Sequence, residues 1–144
     1  MSTSQIKTML TVCFADRPNQ GFKARAVYEL TDPYAVQLQF PSPSGTGAIA
    51  WTFARDLLVQ VVHPTCVKPV GEGDIRFGPA EAEDYIEIVL HPTGPQPSKL
   101  YARRDELTSF ITQTYKRVPD GGEDDWIDWS AAWSRLQMLL GGAA

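Results

Sequence analysis

The chain contains little cysteine and little histidine, and these shortages exclude several kinds of site. Cys13 and Cys66 are its two cysteines, and His63 and His91 are its two histidines. Two cysteines cannot build a disulfide framework, so a reducing compartment is the natural expectation. No second Cys or His pair accompanies His63-Pro-Thr-Cys66 to complete the four ligands of a structural zinc ion.

Long apolar runs and excess positive charge are also missing. No stretch approaches the ~20 apolar residues of a membrane-spanning helix. The first residues lack the basic and apolar regions of a signal peptide. The formal net charge is −4 over 144 residues, which repels polyanions at long range, so a nucleic-acid surface would need a local basic patch. We therefore expect a cytoplasmic protein that does not span a membrane.

The chain does contain short runs in which apolar and polar residues alternate. In the clearest run, Tyr34, Val36, Leu38 and Phe40 share one parity. Alternation of this kind predicts strands with one buried face, and the intervening turn formers predict a sequential antiparallel meander. The other predicted strands are 6–14, 22–30, 49–53, 74–77, 85–90 and 98–102.

Helical spacing replaces this alternation at three places. The run 57–62 predicts a short helix that ends before His63-Pro64. Leu107, Phe110, Ile111, Thr114 and Val118 form one stripe of an amphipathic helix. A last helix is expected from near Ser130 to Gly141. The sequence therefore predicts one α+β domain over 1–144, with about seven to eight strands and C-terminal helices.

Candidates for chemistry are sparse. His63 and Cys66 could act as base and nucleophile, but a surface loop that happens to contain both is favoured. The acidic run Asp120 to Asp128 is explained mainly by the preference for carboxylates before a helix N-terminus. An acidic docking edge for a basic partner is the alternative. Arg103 and Arg104 have local acidic partners in Asp105 and Glu106.

Three of the four tryptophans, Trp126, Trp129 and Trp133, lie in the last helix and its approach. We interpret them as docking that helix on the sheet. An interface between subunits, where tryptophan is enriched, is the alternative.

A set of sequence motifs gives a more specific interpretation than composition and periodicity do. Asp32-Pro-Tyr-Ala-Val36 is followed by Trp51-Thr-Phe-Ala-Arg-Asp-Leu-Leu58 and by Gly71-Glu-Gly-Asp-Ile-Arg76. Glu106-Leu107, Phe110 and then Val118-Pro-Asp-Gly-Gly-Glu123 come later. In this order and spacing the chain resembles the SsgA/SsgB-like family of actinomycete sporulation and cell-division proteins, from roughly Tyr28 to Leu140. An SsgB-like member is preferred, and an SsgA-like paralogue is the alternative.

The resemblance implies a non-enzymatic regulator without cofactors that helps to position or recruit the FtsZ division machinery at sporulation septa. FtsZ and other SsgA-like proteins are the implied partners. The implied fold is a curved antiparallel sheet similar to the whirly single-stranded nucleic-acid-binding proteins, as a homo-oligomer for which a trimer is suggested. A whirly-like nucleic-acid-binding module is the alternative function, although the acidic balance argues against it.

No catalytic, metal or cofactor residues are predicted. The candidate partner contacts are Arg55, Asp56, Arg103, Arg104, Glu123, Asp124 and Asp125. For Arg55 and Asp56, an intramolecular ion pair or a helix cap is at least as well supported as partner contact. The candidate core or oligomer anchors are Trp51, Leu57, Leu58, Trp126, Trp129 and Trp133.

Overall fold

Seven strands and three α-helices make up the part of the chain that the computed structural model describes, residues 4–41, 47–71, 73–91, 93–127 and 129–141. A 3₁₀ turn, Glu123–Trp126, precedes the last helix. In chain order the elements are β1 Gln5–Phe14, β2 Arg17–Glu29, β3 Ala35–Pro41, β4 Ala48–Ala54, α1 Arg55–Val62, β5 Ile75–Pro79, β6 Tyr85–Leu90, β7 Ser98–Arg103, α2 Arg104–Arg117 and α3 Trp129–Gly141.

The strands form one antiparallel sheet in the order β4-β3-β2-β1-β7-β6-β5. The predicted meander is present within β1–β4 and within β5–β7. However, β4 and β5 follow each other in the chain and lie at opposite edges of the sheet. The two halves join where Val12 to Phe14 of β1 pair with Ala102 to Leu100 of β7.

The sheet curls, so that its two edge strands approach each other. Phe53 of β4 and Phe77 of β5 have ring centroids 4.8 Å apart, and the seven strands form a half-barrel. The α+β class, the curved antiparallel sheet and the helical C-terminus are therefore confirmed. Helix α1 connects β4 to β5 and lies beside both.

The hydrophobic core fills the concave face. Val36, Leu38 and Phe40 are buried, as their alternation predicts. Helices α1 and α2 contribute buried side chains from their predicted stripes, including Leu58 and Phe110. The remaining core residues from the sheet include Leu10, Val12, Ala26, Tyr28, Phe77, Ile86, Ile88, Leu100 and Ala102.

Two side chains assigned to this core by parity are exposed. Tyr34 is 49% exposed and Ile49 is 46% exposed. Tyr34 precedes β3, in the turn that follows Asp32, so the alternation of that strand does not constrain it. Ile49 lies near the start of the edge strand β4, where the concave face is open.

Helix α3 differs from the other two helices. The described side chains of Ser130 and of 133–140 are all exposed, and Trp133 is 61% exposed. At that exposure Trp133 does not dock the last helix on the sheet of the same chain, and Trp126 is also 39% exposed. The alternative, an interface between subunits, stays a prediction. The side chain of the third predicted anchor, Trp129, lies outside the described part of the chain.

Among the described helices, none combines the length and hydrophobicity that crossing a bilayer requires.

Candidate functional site

Arg55 lies at the junction between β4 and α1, in the middle of the Trp51–Leu58 motif. Its backbone N–H donates to the Tyr34 carbonyl oxygen over 2.7 Å, so β4 is held against the start of β3 as the helix begins. The Arg55 side chain is only 2% exposed. A cation that deep in a protein requires partners that compensate for its lost hydration.

The Arg55 guanidinium has such partners on each side. Nη2 donates to Glu123 Oε2 over 2.9 Å, and Nη1 donates to the Val118 carbonyl oxygen over 2.9 Å. The guanidinium carbon lies 3.8 Å from the centroid of the Tyr115 ring and 5.0 Å from that of Tyr28. Contacts of this kind with aromatic faces stabilise a desolvated cation. The cluster formed by Arg55, Glu123, Tyr28 and Tyr115 is called the arginine anchor below.

Glu123 completes the ion pair from the 3₁₀ turn. Its Oε1 accepts a hydrogen bond from the Gly121 backbone N–H over 2.8 Å. Burial acts to raise the pKa of the Glu123 carboxyl. Hydrogen bonds from its own backbone N–H, from Arg55 and from Gly121 outweigh burial and hold that pKa below its usual value. The carboxylate is therefore charged at neutral pH, and the segment Val118–Glu123 is fixed against α1.

Tyr28 connects the anchor to the Asp32-Pro-Tyr-Ala-Val36 motif. The Tyr28 hydroxyl donates to the Pro33 carbonyl oxygen over 2.8 Å. Burial raises the pKa of Tyr28 to about 12, although the nearby Arg55 opposes the shift. The phenol therefore keeps its proton and acts as a donor. Three motifs that are distant in the sequence thus meet around one guanidinium.

Tyr34 connects the same regions at the surface. The Tyr34 hydroxyl donates to Asp124 Oδ1 over 2.5 Å. This hydrogen bond to Asp124 is the main cause that raises the pKa of Tyr34 to about 12. Asp125 and Asp56 are exposed, and Asp56 Oδ2 accepts from Gln60 Nε2 over 2.6 Å.

These positions divide the predicted partner contacts into two groups. Arg55 and Glu123 are buried, so their side chains offer no surface to a partner, and an intramolecular ion pair accounts for both. Asp56, Asp124 and Asp125 remain at the surface.

The two arginines at the start of α2 also have separate roles. Arg103 is exposed and pairs with Asp105, with its Nε 3.2 Å from Oδ1. This pairing raises the pKa of Arg103 and lowers that of Asp105. Arg104 is half-buried, and its Nε donates to the Glu83 carbonyl oxygen. Its Nη1 donates to the carbonyl oxygen of Val62, the last residue of α1. Arg104 therefore caps α1, whereas the guanidinium of Arg103 is accessible from solvent.

A cleft lies between β4 and the segments that flank β5. It has a volume of about 1040 Å³, and Trp51, Phe53 and Leu57 line it together with Val70 and Ile75. Trp51 is half-buried, and its ring meets that of His91 edge-on, with centroids 4.8 Å apart. Leu58, one helix position further on, is fully buried in the core. Of the predicted anchors, Leu58 is thus a core residue, and Trp51 and Leu57 border open space.

The histidines lie at separate places. His63 and Cys66 share a shallow surface groove, where Thr65 Oγ1 lies 2.7 Å from His63 Nδ1 and the Cys66 thiol donates to the Lys68 carbonyl oxygen. His91 lines the other cleft, with Nδ1 3.8 Å from Asp74 Oδ1. Within the described residues, no group of three or more His, Cys, Asp or Glu side chains is placed to hold a metal ion.

Two of the sheet aromatics in the described part of the chain are not available to stack on single-stranded nucleic acid. Phe40 and Phe53 are buried, with 6% and 7% exposure. On the outer face, Lys23 donates to Thr11 Oγ1 and Lys99 lies near Glu87. Base stacking requires exposed aromatic faces beside free cations.

Together, the half-barrel and the arginine anchor define a structural scaffold with exposed edges. A family model described as "Streptomyces sporulation and cell division protein, SsgA" matches residues 22–123. This range contains all four residues of the anchor. The chain belongs to that family.

The curated relatives and solved structures agree with this assignment. "Sporulation-specific cell division protein SsgB" from Frankia casuarinae is 37% identical over 119 residues, which is 80% of this chain and 76% of that protein. The protein of the same name from Salinispora tropica is 32% identical over 139 residues, 94% of this chain and 93% of that one.

Two solved structures share the fold. One is an SsgB structure described with mutations that correlate to longitudinal cell division during sporulation of Streptomyces coelicolor. It has a TM-score of 0.69 and 28% identity, and the match covers 88% of this chain and all of that one. The other is an SsgA-like sporulation-specific cell division protein from Thermobifida fusca, also with a TM-score of 0.69, at 30% identity over 94% of this chain and 98% of that one.

Several residues of the anchor carry no clear signal in the sequence. Tyr28 and Tyr115 look like ordinary strand and helix residues, and the Val118 carbonyl has no sequence signature. Tyr34 stands in a family motif, but its parity with Val36 indicates the core. The available signal is the charged pair Arg55-Asp56 inside a largely apolar motif.

Proposed function

We propose that this chain is a non-enzymatic regulator that helps to position or recruit the FtsZ division machinery at sporulation septa. The observation that carries the proposal is its membership of the SsgA family, with relatives named sporulation-specific cell division protein SsgB at 32% to 37% identity over most of the chain. Recruitment to a septum would place the protein in the cytoplasm, at the site of division.

The surface next to the arginine anchor supports a role in binding. The anchor fixes the 3₁₀ turn, and this turn presents Asp124 and Asp125 on the outside. Asp56 is exposed in the first turn of α1, the helix that begins at Arg55. We name Asp56, Asp124 and Asp125 the acidic edge. Exposed carboxylates suit a basic surface on a partner, and a polymeric partner multiplies such weak contacts.

Co-sedimentation with polymerised FtsZ tests this proposal. The wild-type chain is expected to pellet with FtsZ polymers and to remain in the supernatant without them. The Asp56→Lys/Asp125→Lys variant should bind about 10-fold more weakly and show reduced salt dependence, since exposed ion pairs contribute ~0.2–1 kcal/mol each.

The matched control is Arg103→Glu, a charge reversal at the start of α2, which should bind as the wild type does. Fluorescent fusions in sporulating cells provide the second readout: the wild type should concentrate at septa. Failure of the wild type both to pellet and to concentrate at septa would reject the proposal. Normal binding by the double variant would reject the acidic edge alone.

A further inference from the structure

The outer, convex face of the sheet is basic along its central strands. Strands β2, β1 and β7 are adjacent, and the alternation that buries Leu10, Ala24 and Leu100 turns the residues between them outward. In these fully described strands the outward positions carry the carboxylate of Glu29 and the exposed cations Lys7, Lys23, Arg25, Lys99 and Arg103. A chain with a formal net charge of −4 thus has a local excess of positive charge on this face.

Three of these cations lie close together without a direct acidic partner. In the described part of the chain, Lys7, Lys23 and Arg25 form no ion pair. Arg25 lies opposite Met9, two residues from Lys7, so these two cations are diagonal neighbours on adjacent strands. Lys23 lies opposite Thr11 and donates to its Oγ1 over 2.9 Å. Like charges that face each other across strands cost stability. Lys7, Lys23 and Arg25 are called the basic face below.

The other two cations on these strands are already paired. Lys99 Nζ lies 3.8 Å from Glu87 Oε2, and Arg103 pairs with Asp105 at the start of α2. The charge that remains for an external anion is therefore that of the basic face.

Met9 places an apolar side chain among these cations. It is 48% exposed and lies opposite Arg25 in the sheet. A surface that combines cations with an exposed apolar side chain suits an anionic bilayer, because the cations meet the headgroups while the apolar group enters the interfacial region. A flat bilayer touches a convex sheet along its central strands, and these strands carry both kinds of side chain.

Other polyanions fit this surface less well. Single-stranded nucleic acid binds where exposed aromatic faces stack on its bases. At the outward positions of β1, β2 and β7, the aromatic side chain is that of Tyr101, which is half-buried. An extended acidic peptide adds to the free edge of a sheet, whereas the basic face lies in the middle of the sheet, away from the edge strands β4 and β5.

We propose that the basic face binds the surface of an anionic phospholipid bilayer, with Met9 at the level of the headgroups. In this orientation α1 and α2, which pack on the concave face, point away from the bilayer. The acidic edge, which begins in the first turn of α1, points away with them. This binding concerns the chain alone and does not depend on the proposed recruitment of FtsZ.

Co-sedimentation of the purified chain with lipid vesicles tests the proposal. The wild type is expected to bind vesicles made of equal parts phosphatidylcholine and phosphatidylglycerol. Each Lys or Arg near an anionic surface strengthens binding about 5-fold, so the basic face predicts a preference of about 100-fold over pure phosphatidylcholine. Added salt should weaken the binding because it screens these charges. Lys7→Glu/Arg25→Glu should weaken it at least about 20-fold.

Lys68→Glu/Lys116→Glu is the charge-matched control. It also replaces two exposed cations by carboxylates, so both double variants have the same formal net charge. Lys68 precedes β5 and Lys116 lies on α2, away from the basic face, so this control should bind vesicles as the wild type does. All four substituted side chains are exposed, and both variants should keep the wild-type circular dichroism spectrum.

Met9→Ser tests the apolar part of the contact. It should weaken binding to the anionic vesicles about 3- to 10-fold, since part of an apolar side chain no longer leaves water. The dependence of binding on salt should stay as in the wild type, because no charge changes.

Three results would overturn the proposal. The wild type could fail to distinguish anionic from neutral vesicles, or bind neither. The two double variants could weaken binding equally, which would assign the effect to total charge and not to the basic face. The chain could bind polyglutamate or an oligonucleotide but no vesicles, which would assign the basic face to an acidic protein or to nucleic acid.

Discussion

Removal of the Arg55 side chain is the sharpest perturbation of the scaffold. Arg55→Ala deletes the ion pair with Glu123, the hydrogen bond to Val118 and the contact with the Tyr115 ring. Breaking a buried pair by removing one partner costs about 3–5 kcal/mol, because the other charge remains without compensation. The Glu123 side chain is 9% exposed and keeps its bond from Gly121. We therefore expect the lower end of that range, about 3 kcal/mol.

Urea unfolding followed by tryptophan fluorescence and circular dichroism measures this free energy. In a chain of this size, a loss of about 3 kcal/mol corresponds to a decrease in Tm of about 6–12 °C. Glu123→Ala and the double variant complete a mutant cycle. The cycle should give a coupling of at least ~1 kcal/mol, since the two side chains are in direct contact.

Arg103→Ala is the matched control, since it also removes an arginine that pairs with a carboxylate. The Arg103 side chain is 44% exposed and that of Asp105 is 69% exposed, so Arg103→Ala should lower the free energy of unfolding far less than Arg55→Ala does. Equal decreases in the free energy of unfolding for Arg55→Ala and Arg103→Ala would refute the reasoning. A stable Arg55→Ala protein that no longer binds its partner would restore Arg55 as a direct contact.

The remaining predictions concern pH and backbone conformation. The pKa values of Tyr28 and Tyr34 are about 12 in the folded chain, against 10.0 for an unperturbed phenol. The contribution of these two phenols to the stability of the fold is therefore complete below pH 10 and is lost as pH rises toward 12. Burial also raises the pKa of Tyr115, so an ultraviolet titration should show three late phenols, and two in Tyr34→Phe. The pKa of Glu123 is lowered, so the stability that its ionised carboxylate contributes is lost as pH falls below the ordinary carboxyl range. Acid unfolding measures this loss. Gly71 has φ +131°, and an added Cβ would lie 2.6 Å from a backbone oxygen, so Gly71→Ala should cost at least ~1–3 kcal/mol. Gly21→Ala, with no contact under 3.7 Å, should be near neutral by urea unfolding.

The strands and helices were predictable because their periodicities are local. Alternation in 36–40 and in 85–90 reports which side chains face the core, and the structure confirms both strands. Alternation does not report which strands are neighbours. The pairing of Val12 with Ala102 joins residues 90 positions apart in the sequence, and no local pattern encodes it. The placement of β4 and β5 at opposite edges therefore appears only in the structure.

The arginine anchor was less predictable for a related reason. Arg55 and Glu123 are separated by 68 residues, and each has a plausible local explanation as a helix-proximal charge. The acidic run hides the buried carboxylate of Glu123, because composition cannot distinguish it from the exposed Asp124 or Asp125. The stripe of α3 is visible in the sequence, but an apolar stripe predicts burial without specifying which molecule buries it.

The motifs that identify the family are thus mainly structural, and this affects how variants should be interpreted. Substitutions at Arg55 or Glu123 should reduce stability first, so any loss of septation that they cause cannot by itself locate a partner surface. Substitutions in the acidic edge or at Leu136 change exposed side chains and should leave the fold intact. A division phenotype with normal protein abundance in one of these variants would therefore locate the working surface at the substituted side chain. If instead Asp56→Lys/Asp125→Lys and Leu136→Glu both supported normal septation while Arg103→Glu did not, the working surface would lie at the start of α2, where Arg103 is accessible.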